Sequence, residues 1–332
     1  MNRILYIDIA KAICIILVVI GHYCPDGSPQ WYQVVNRFIY SFHMPLFMFA
    51  SGFVYTFRGR YSNFISKKIK RLIIPYLTCS VVVISLKLLS QGNAYVENPV
   101  SAMSYLKIFY LPEAGYFLWF IWALFLMFVI TPLFKTHTAR NLLFLSSIIL
   151  AYLPVTFPDI FCLNQFKHMY VYFLFGVFIR ENNVGDIIKN YSHTKMAITA
   201  VAFILLESAH LSMPYMHNAP QQLTSLIAAI LPFVGIAFII YASQIIGRHV
   251  NADNGRNMLL SVAAASYVIY LFHTTFEGFA KAALMKLPLD DGVWYVFTAK
   301  AALVIMAGII FPMLLYNIAK RFKATRFLLG LK

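Results

Sequence analysis

Three ionisable side chains share the first apolar stretch of this sequence: Asp8 and Lys11 near its start and His22 at its end. A charge in the bilayer interior costs roughly 2.5–3.5 kcal/mol on insertion scales, so a spanning helix that carries these groups must turn them to protein or water. The eleven-residue step from Lys11 to His22 is close to three helical turns. Both side chains therefore point the same way, about 16 Å apart along the axis. Asp8 lies one turn from Lys11 on nearly the same face. The plainer reading makes Asp8 and Lys11 a helix-starting ion pair and His22 an interfacial cap. The chemical reading is a polar stripe facing the bundle interior. It carries a cation for anionic ligands at one mouth and, at the other, an imidazole able to take a proton near neutral pH. Asp8, about 21 Å from His22 along the axis, is too distant to orient it directly.

The elements that must position these groups are membrane helices. Of 332 residues, 61% are hydrophobic and 12% charged, and the mean hydropathy is +0.72. A soluble domain is roughly 45–50% apolar and about 25% charged. That gap excludes disorder, a secreted disulfide scaffold and an ordinary cytosolic enzyme. Apolar runs predict about ten spans, near 4–24, 36–57, 69–90, 116–134, 141–157, 161–179, 196–213, 222–246, 259–280 and 294–318. Pro154, Pro158, Lys167 and His168 interrupt the fifth and sixth. Segment 91–115 is polar with interspersed aromatics and is expected to lie along the membrane surface. The first run ends in Gly-His-Tyr-Cys-Pro rather than a small-residue cleavage site, so it is expected to stay as a span.

The net charge of +15 reads as topology rather than nucleic-acid binding. Alternating the spans from a cytoplasmic N-terminus puts most lysines and arginines on one side. That side collects Arg58, Arg60, Lys67, Lys68, Lys70 and Arg71, then Lys135 and Arg140, then Arg180, Lys189 and Lys195, then Arg248 and Arg256, and the basic tail from Lys320 to Lys332. The opposite side holds Arg37, Lys107, Lys167, Lys281 and Lys286. The expected architecture is an all-α, polytopic transmembrane bundle with both termini cytoplasmic, in which residues 1–332 form one domain of a multi-pass cytoplasmic (inner) membrane protein. Cys14, Cys24, Cys79 and Cys162 are scattered without a C-x-x-C pair, so neither a metal site nor a disulfide framework is indicated. No G-x-G-x-x-G or G-K-[ST] loop appears, which leaves nucleotide-triphosphate chemistry unsupported.

Other candidates are spread along the chain. His43 should reach a depth similar to His22 if the first two spans are neighbours; otherwise it simply opens the buried part of its helix before Pro45. His273 follows Tyr270 by nearly one turn. Glu207 and His210 read as a local pair, and Glu277 is left without a role. Tyr116, Trp119 and Trp122 read first as interface aromatics.

Asp8-Ile9-Ala10-Lys11 followed by Gly21-His22 resembles the first-helix motif of the membrane-bound acyltransferase-3 family: a basic residue, ten intervening residues, then histidine. Lys11 stands where many members have Arg. Phe42-His43-Met44-Pro45-Leu46-Phe47 running into Ser51-Gly52-Phe53 resembles the second helix, in the version of the sugar O-acetylase (fucose 4-O-acetylase-like) branch. Lys67-Lys68-Ile69-Lys70-Arg71 through Pro75-Tyr76 is similar to the basic start of the third, and Leu118-Trp119-Phe120 to the fourth. Ser266-Tyr267 through Tyr270-Leu271-Phe272-His273 is similar to a late helix of that family.

The resemblance implies an enzyme that moves an acyl group, usually acetyl, from acetyl-coenzyme A to a hydroxyl of a cell-surface or lipid-linked glycan. It implies no permanently bound cofactor, and it brings membrane lipid and polysaccharide-synthesis proteins as partners. On this reading His22 is the general base and His43 its helper. Lys11, Arg60, Lys67, Lys68 and Arg71 hold the donor's phosphates, and Trp119, Tyr270, His273 and Asp8 contact substrate. Direct transfer and an acyl-histidine intermediate both stay open. One rival keeps the fold and changes the acyl group, for example to succinyl. Another is a glycan transporter or flippase that consumes no thioester.

Overall fold

A computed structural model of the chain describes residues 4–92, 96, 98–182, 192–215, 220–249, 257–287 and 292–331. Every regular element among them is helical. Among the described residues, seven helices are long and apolar enough to cross a membrane. They are α1 (Leu5–His22), α4 (Tyr61–Ser90), α6 (Tyr116–Leu133), α9 (His193–Tyr215), α10 (Gln221–His249), α11 (Met258–Leu284) and α12 (Trp294–Ala319). The chain is thus a polytopic helical membrane protein. The other elements are α2 (Gln30–Tyr40), α3 (His43–Phe53), the four-residue α5 (Ser104–Lys107), α7 (His137–Tyr152), α8 (Leu163–Glu181) and α13 (Lys323–Leu328). Lys189, Arg256 and Lys332, expected on the cytoplasmic side, lie outside the described residues.

Two of the expected spans have different boundaries. The stretch 36–57 is not one helix: α2 stops at Tyr40, and α3 restarts at His43. Pro45 is the cause. It has no amide to give to the carbonyl of Ser41, and its ring would crowd that carbonyl, but it fits the first turn of a new helix. The Ser41 hydroxyl, 2.7 Å from the Phe38 carbonyl, closes the end of α2. The third helix starts earlier than the apolar run, at Tyr61, so Lys67 to Arg71 lie inside it rather than before it. Lys and Arg are good helix formers, and their long stems carry the charge away from the apolar turns. The stretches 141–157 and 161–179 hold α7, which stops before Pro154, and α8, which carries Lys167.

The chain separates into two compact units, one of residues 1–51 and 179–313, the other of 52–178 and 314–332. In the first, α1 packs mainly on α11 and α10, while α9 packs on α10 and α2. Ile7, Ile9, Ala10, Ala12, Cys14, Ile15, Val18 and Val19 are almost wholly buried, which places α1 at the centre of that unit. In the second, Gly52 of α3 is set against the backbone of α8: a Cβ there would stand 1.8 Å from the Phe173 carbonyl oxygen. Buried Lys167 donates to the carbonyls of Leu153 (2.8 Å) and Val155 (2.7 Å), supplying partners for the chain end beyond α7.

Within α4, residues Ile69–Ile73 form a π-helical turn. Pro75 has no amide for the carbonyl of Arg71, and the amide of Ile74 reaches back five residues to Ile69. Gly330, past the end of α13, fits against this widened turn. Its φ of +64° suits glycine, and a Cβ there would meet Pro75 at 2.8 Å and the Arg71 carbonyl at 2.9 Å.

Candidate active site

His22 closes α1. Pro25 disfavours helix at Cys24, so the helix ends two residues earlier. The last carbonyls of a helix need partners from outside it, and α2 supplies two. The Tyr32 hydroxyl donates to the carbonyl of Ile20 (3.0 Å), and Asn36 Nδ2 donates to that of Gly21 (2.6 Å). The amide of Cys24 reaches the His22 carbonyl at 3.2 Å. Gly21 keeps the two helices close: a Cβ on it would lie 3.2 Å from both Ile39 and Tyr40. The helix end that carries His22 is therefore fixed by a neighbour's side chains.

Around His22 the first unit gathers two more imidazoles and a phenol. The His22 and His273 ring centroids are 4.9 Å apart, and Tyr40 stands edge-on to both His22 (6.3 Å) and His43 (4.9 Å). Tyr270, one turn before His273, is 6.3 Å from it, centroid to centroid. His43 and His273 are buried, and each uses Nδ1 on a backbone carbonyl, His43 at the end of α2 and His273 on its own helix. His43 donates to the Ile39 carbonyl at 2.7 Å; His273 donates to those of Ile269 (3.1 Å) and Tyr270 (2.9 Å). A carbonyl can only accept, so in the neutral ring the proton is on Nδ1 and the lone pair on Nε2 in both. Neither can gain a second proton without becoming a buried cation. His22 is partly exposed, and Tyr40 beside it is half exposed. Of the three imidazoles, His22 is the most exposed.

The remaining residues of the first unit fall into three places. Lys11 and Asp8 lie on α1 three and four turns from His22, and the two interact electrostatically. Neither belongs to the imidazole cluster. Glu207 of α9 is buried and accepts from the Ser41 hydroxyl, at the break between α2 and α3. Its Oε2 and the His210 Nδ1 have no hydrogen-bond partner among the described residues. Glu277 of α11 is also buried, one turn past His273. Among the described residues no three of His, Cys, Asp and Glu stand close enough together to hold a metal ion.

Arg60, Lys67, Lys68, Arg71 and Trp119 belong to the second unit. Arg60, Lys67 and Arg71 are exposed. Lys68 is half-buried, with its ammonium 3.2 Å from the ring centroid of Phe128 and 5.1 Å from that of Phe64. A cation held over aromatic faces is partly desolvated and fixed in direction. Arg71 sits in the π-helical turn. Trp119 opens the regular part of α6, partly buried beside Phe120.

The sequence pattern of the acyltransferase-3 family, described as an acyltransferase domain, matches residues 4–317. The chain belongs to this family. Two curated relatives carry the name nodulation protein NolL. The one from Mesorhizobium japonicum is 29% identical over 165 residues, 47% of this chain and 43% of the relative. The one from Sinorhizobium fredii is 28% identical over 214 residues, 60% of this chain and 56% of the relative. The chain thus spans about half the length of the curated relatives it matches. No solved structure matches it.

Within this acyltransferase-3 chain, Tyr40 is the cluster member that sequence reasoning passed over. Its signal was available, since it stands one turn before His43. Glu277 also had a signal, the step of four from His273, but a lone carboxylate near a helix end carries no information about what it faces.

Proposed function

We propose that this protein is a membrane O-acyltransferase that moves an acetyl group from acetyl-coenzyme A to a hydroxyl of a cell-surface or lipid-linked glycan, in the cytoplasmic (inner) membrane. The observation that supports it is the convergence of His22, His43 and His273 from three helices, two of them buried and held as Nδ1–H tautomers and the third, His22, the most exposed. A sugar hydroxyl is a weak nucleophile at neutral pH. A positioned imidazole that accepts its proton contributes typically 10²–10⁴-fold.

In the proposed step the hydroxyl oxygen attacks the thioester carbonyl carbon as its proton passes to His22. The C–S bond then breaks, and coenzyme A departs as the thiol with that proton. His43 and His273 hold the geometry and the local polarity. Lys11 is the proposed phosphate contact of the first unit, and Arg60, Lys67, Lys68 and Arg71 are those of the second, each open to test by itself. Tyr270, Trp119 and Asp8 stand as acceptor contacts. Polysaccharide-synthesis proteins are the proposed source of the acceptor.

The deciding experiment compares the glycan acetyl profile of cells carrying the intact chain, the His22→Gln variant, or neither. Acetyl esters should appear only with the intact chain. Esters of a different mass would replace acetyl as the group transferred. A profile that does not respond to the chain, while the glycan's sidedness does, would favour transport over transfer.

A further inference from the structure

His22 as the base leaves a charge to be balanced. Once it holds the hydroxyl proton it is a cation among buried neutral rings, and a buried ion without a counter-charge is costly. Glu277 is placed to supply that counter-charge. It is 5% exposed, and its Oε1 has no hydrogen-bond partner among the described residues. It lies one turn past His273 on α11. The room for its carboxyl comes from Gly308 of α12: a Cβ there would stand 2.8 Å from Glu277 Oε1 and 2.9 Å from Val19 Cγ1. Val19 is one turn before His22 on α1. Three helices thus converge on an acid oxygen with unmet bonding capacity, in a slot that exists only because residue 308 has no side chain. Packing alone gives no reason for an acid there, since an apolar residue of similar size would fill the same space without the desolvation cost.

The titratable and charged groups around it are few. From α2 come Tyr32 and Tyr40, both within electrostatic reach of Glu277, and on α1 His22 follows Val19 by one turn, with its ring 4.9 Å from that of His273. On α11 itself are His273 and, one turn further on, Lys281. On α12 the nearest cation in sequence is Lys300, buried about two turns from Gly308. We propose that Glu277 is a positioning residue of the transfer reaction, its carboxylate balancing the imidazolium that forms at His22. The carboxylate forms and breaks no bond; the proton rests on His22 and leaves with the thiol. This inference rests on the reading of His22 as base.

The test uses the full chain in native membranes, acetyl-coenzyme A as donor and a glycan extract of the source cells as acceptor, with thiol release followed against pH. Glu277→Gln keeps the shape and removes the charge. It should lower kcat on the order of 10–100-fold with both KM values within about twofold. The acid limb of the kcat profile should also move to lower pH by about one unit, because losing the anion makes His22 easier to deprotonate. Glu277→Asp should recover part of the rate and of the limb. An unmoved limb at wild-type kcat overturns the proposal, and so does a raised acceptor KM at constant kcat, which would make Glu277 a substrate ligand. If Glu277→Gln does not accumulate, Gly308→Ala, which displaces the carboxyl without neutralising it, should give the same changes to a smaller degree; a wild-type profile there is equally fatal. His22→Gln separates the two levels. Activity retained in that variant removes the base itself, whereas an inactive His22→Gln beside a wild-type Glu277→Gln removes only the role of Glu277.

Discussion

In the first unit the ionisable groups of the cluster are tied down: His43 by a backbone carbonyl at the end of α2, His273 by carbonyls of its own helix, Glu207 by Ser41, His22 by the bonds that α2 makes to the end of α1. In the second the prominent charges are cations, and Arg60, Lys67 and Arg71 reach out from the surface while Lys68 lies across aromatic rings. The first arrangement fixes position and suits proton transfer, where a small displacement matters. The second fixes only charge and suits an anionic partner, where the stems can adapt. Substitutions in the two units should therefore fail in different ways: rate in the first, binding or stability in the second.

The largest expected effect is at His22. His22→Gln should reduce transfer by about 10²–10⁴-fold without changing the amount of inserted protein, because Tyr32 and Asn36 still hold the end of α1. Thiol release by purified protein reads the first quantity, and detergent thermal unfolding reads the second. Comparable release by the variant would end the view that rate chemistry belongs to the first unit.

Next in size is Gly52→Ala, a change in the second unit remote from any charge. A Cβ would fall 1.8 Å from the Phe173 carbonyl oxygen, so the backbones of α3 and α8 must separate. Overpacking of this kind costs typically 1–3 kcal/mol or more. The unfolding midpoint should fall, with kcat per folded molecule close to wild type. An unshifted midpoint would show that the two helices are not held as described.

Arg71→Ala should raise the KM for acetyl-coenzyme A about tenfold, in line with the loss of one charge-assisted phosphate contact. Added salt should shrink the difference between variant and wild type, since exposed charges are screened. Lys11→Ala tests the same role in the first unit. If Arg71→Ala lowers kcat at constant KM, the division of labour between the units is wrong.

How far the sequence carried this picture depends on which interactions were local. The seven apolar helices were legible because 18 or more consecutive residues of high hydropathy admit one solution in a bilayer. The Lys11-to-His22 alignment was legible because it needs only the pitch of one helix. The interruption between α2 and α3 was half legible: Pro45 announces it, yet the apolar run hides it. The early start of α4 was obscured because Lys67 to Arg71 look like a connector when hydropathy is the guide, and the π-turn depends on which carbonyl Pro75 leaves without a partner. The approach of His273 to His22 could not be read at all. It joins residues far apart in sequence through the packing of α11 on α1, and no local pattern encodes that register. The slot at Gly308 is hidden for the same reason: the glycine has meaning only once Glu277 and Val19 are seen against it.

The smallest effect is the most discriminating within the first unit. Asn36 and Gln33 both lie on α2, and each gives a side-chain amide to a backbone carbonyl, Asn36 to Gly21 at 2.6 Å and Gln33 to Ser28 at 2.9 Å. Replacing either with Ala removes one such bond, worth about 0.5–1.5 kcal/mol. The stability losses should be similar, with the Gln33 loss the smaller because that side chain is exposed. Their effects on rate should differ. Gly21 is the residue before His22, so Asn36→Ala loosens the helix end that aims the imidazole and should lower kcat several-fold. Gln33→Ala loosens only the turn at Ser28 and should leave kcat unchanged. Equal kcat values in the two variants would mean that the end of α1 holds its place without α2, and that His22 owes its position to its neighbours on α11 alone.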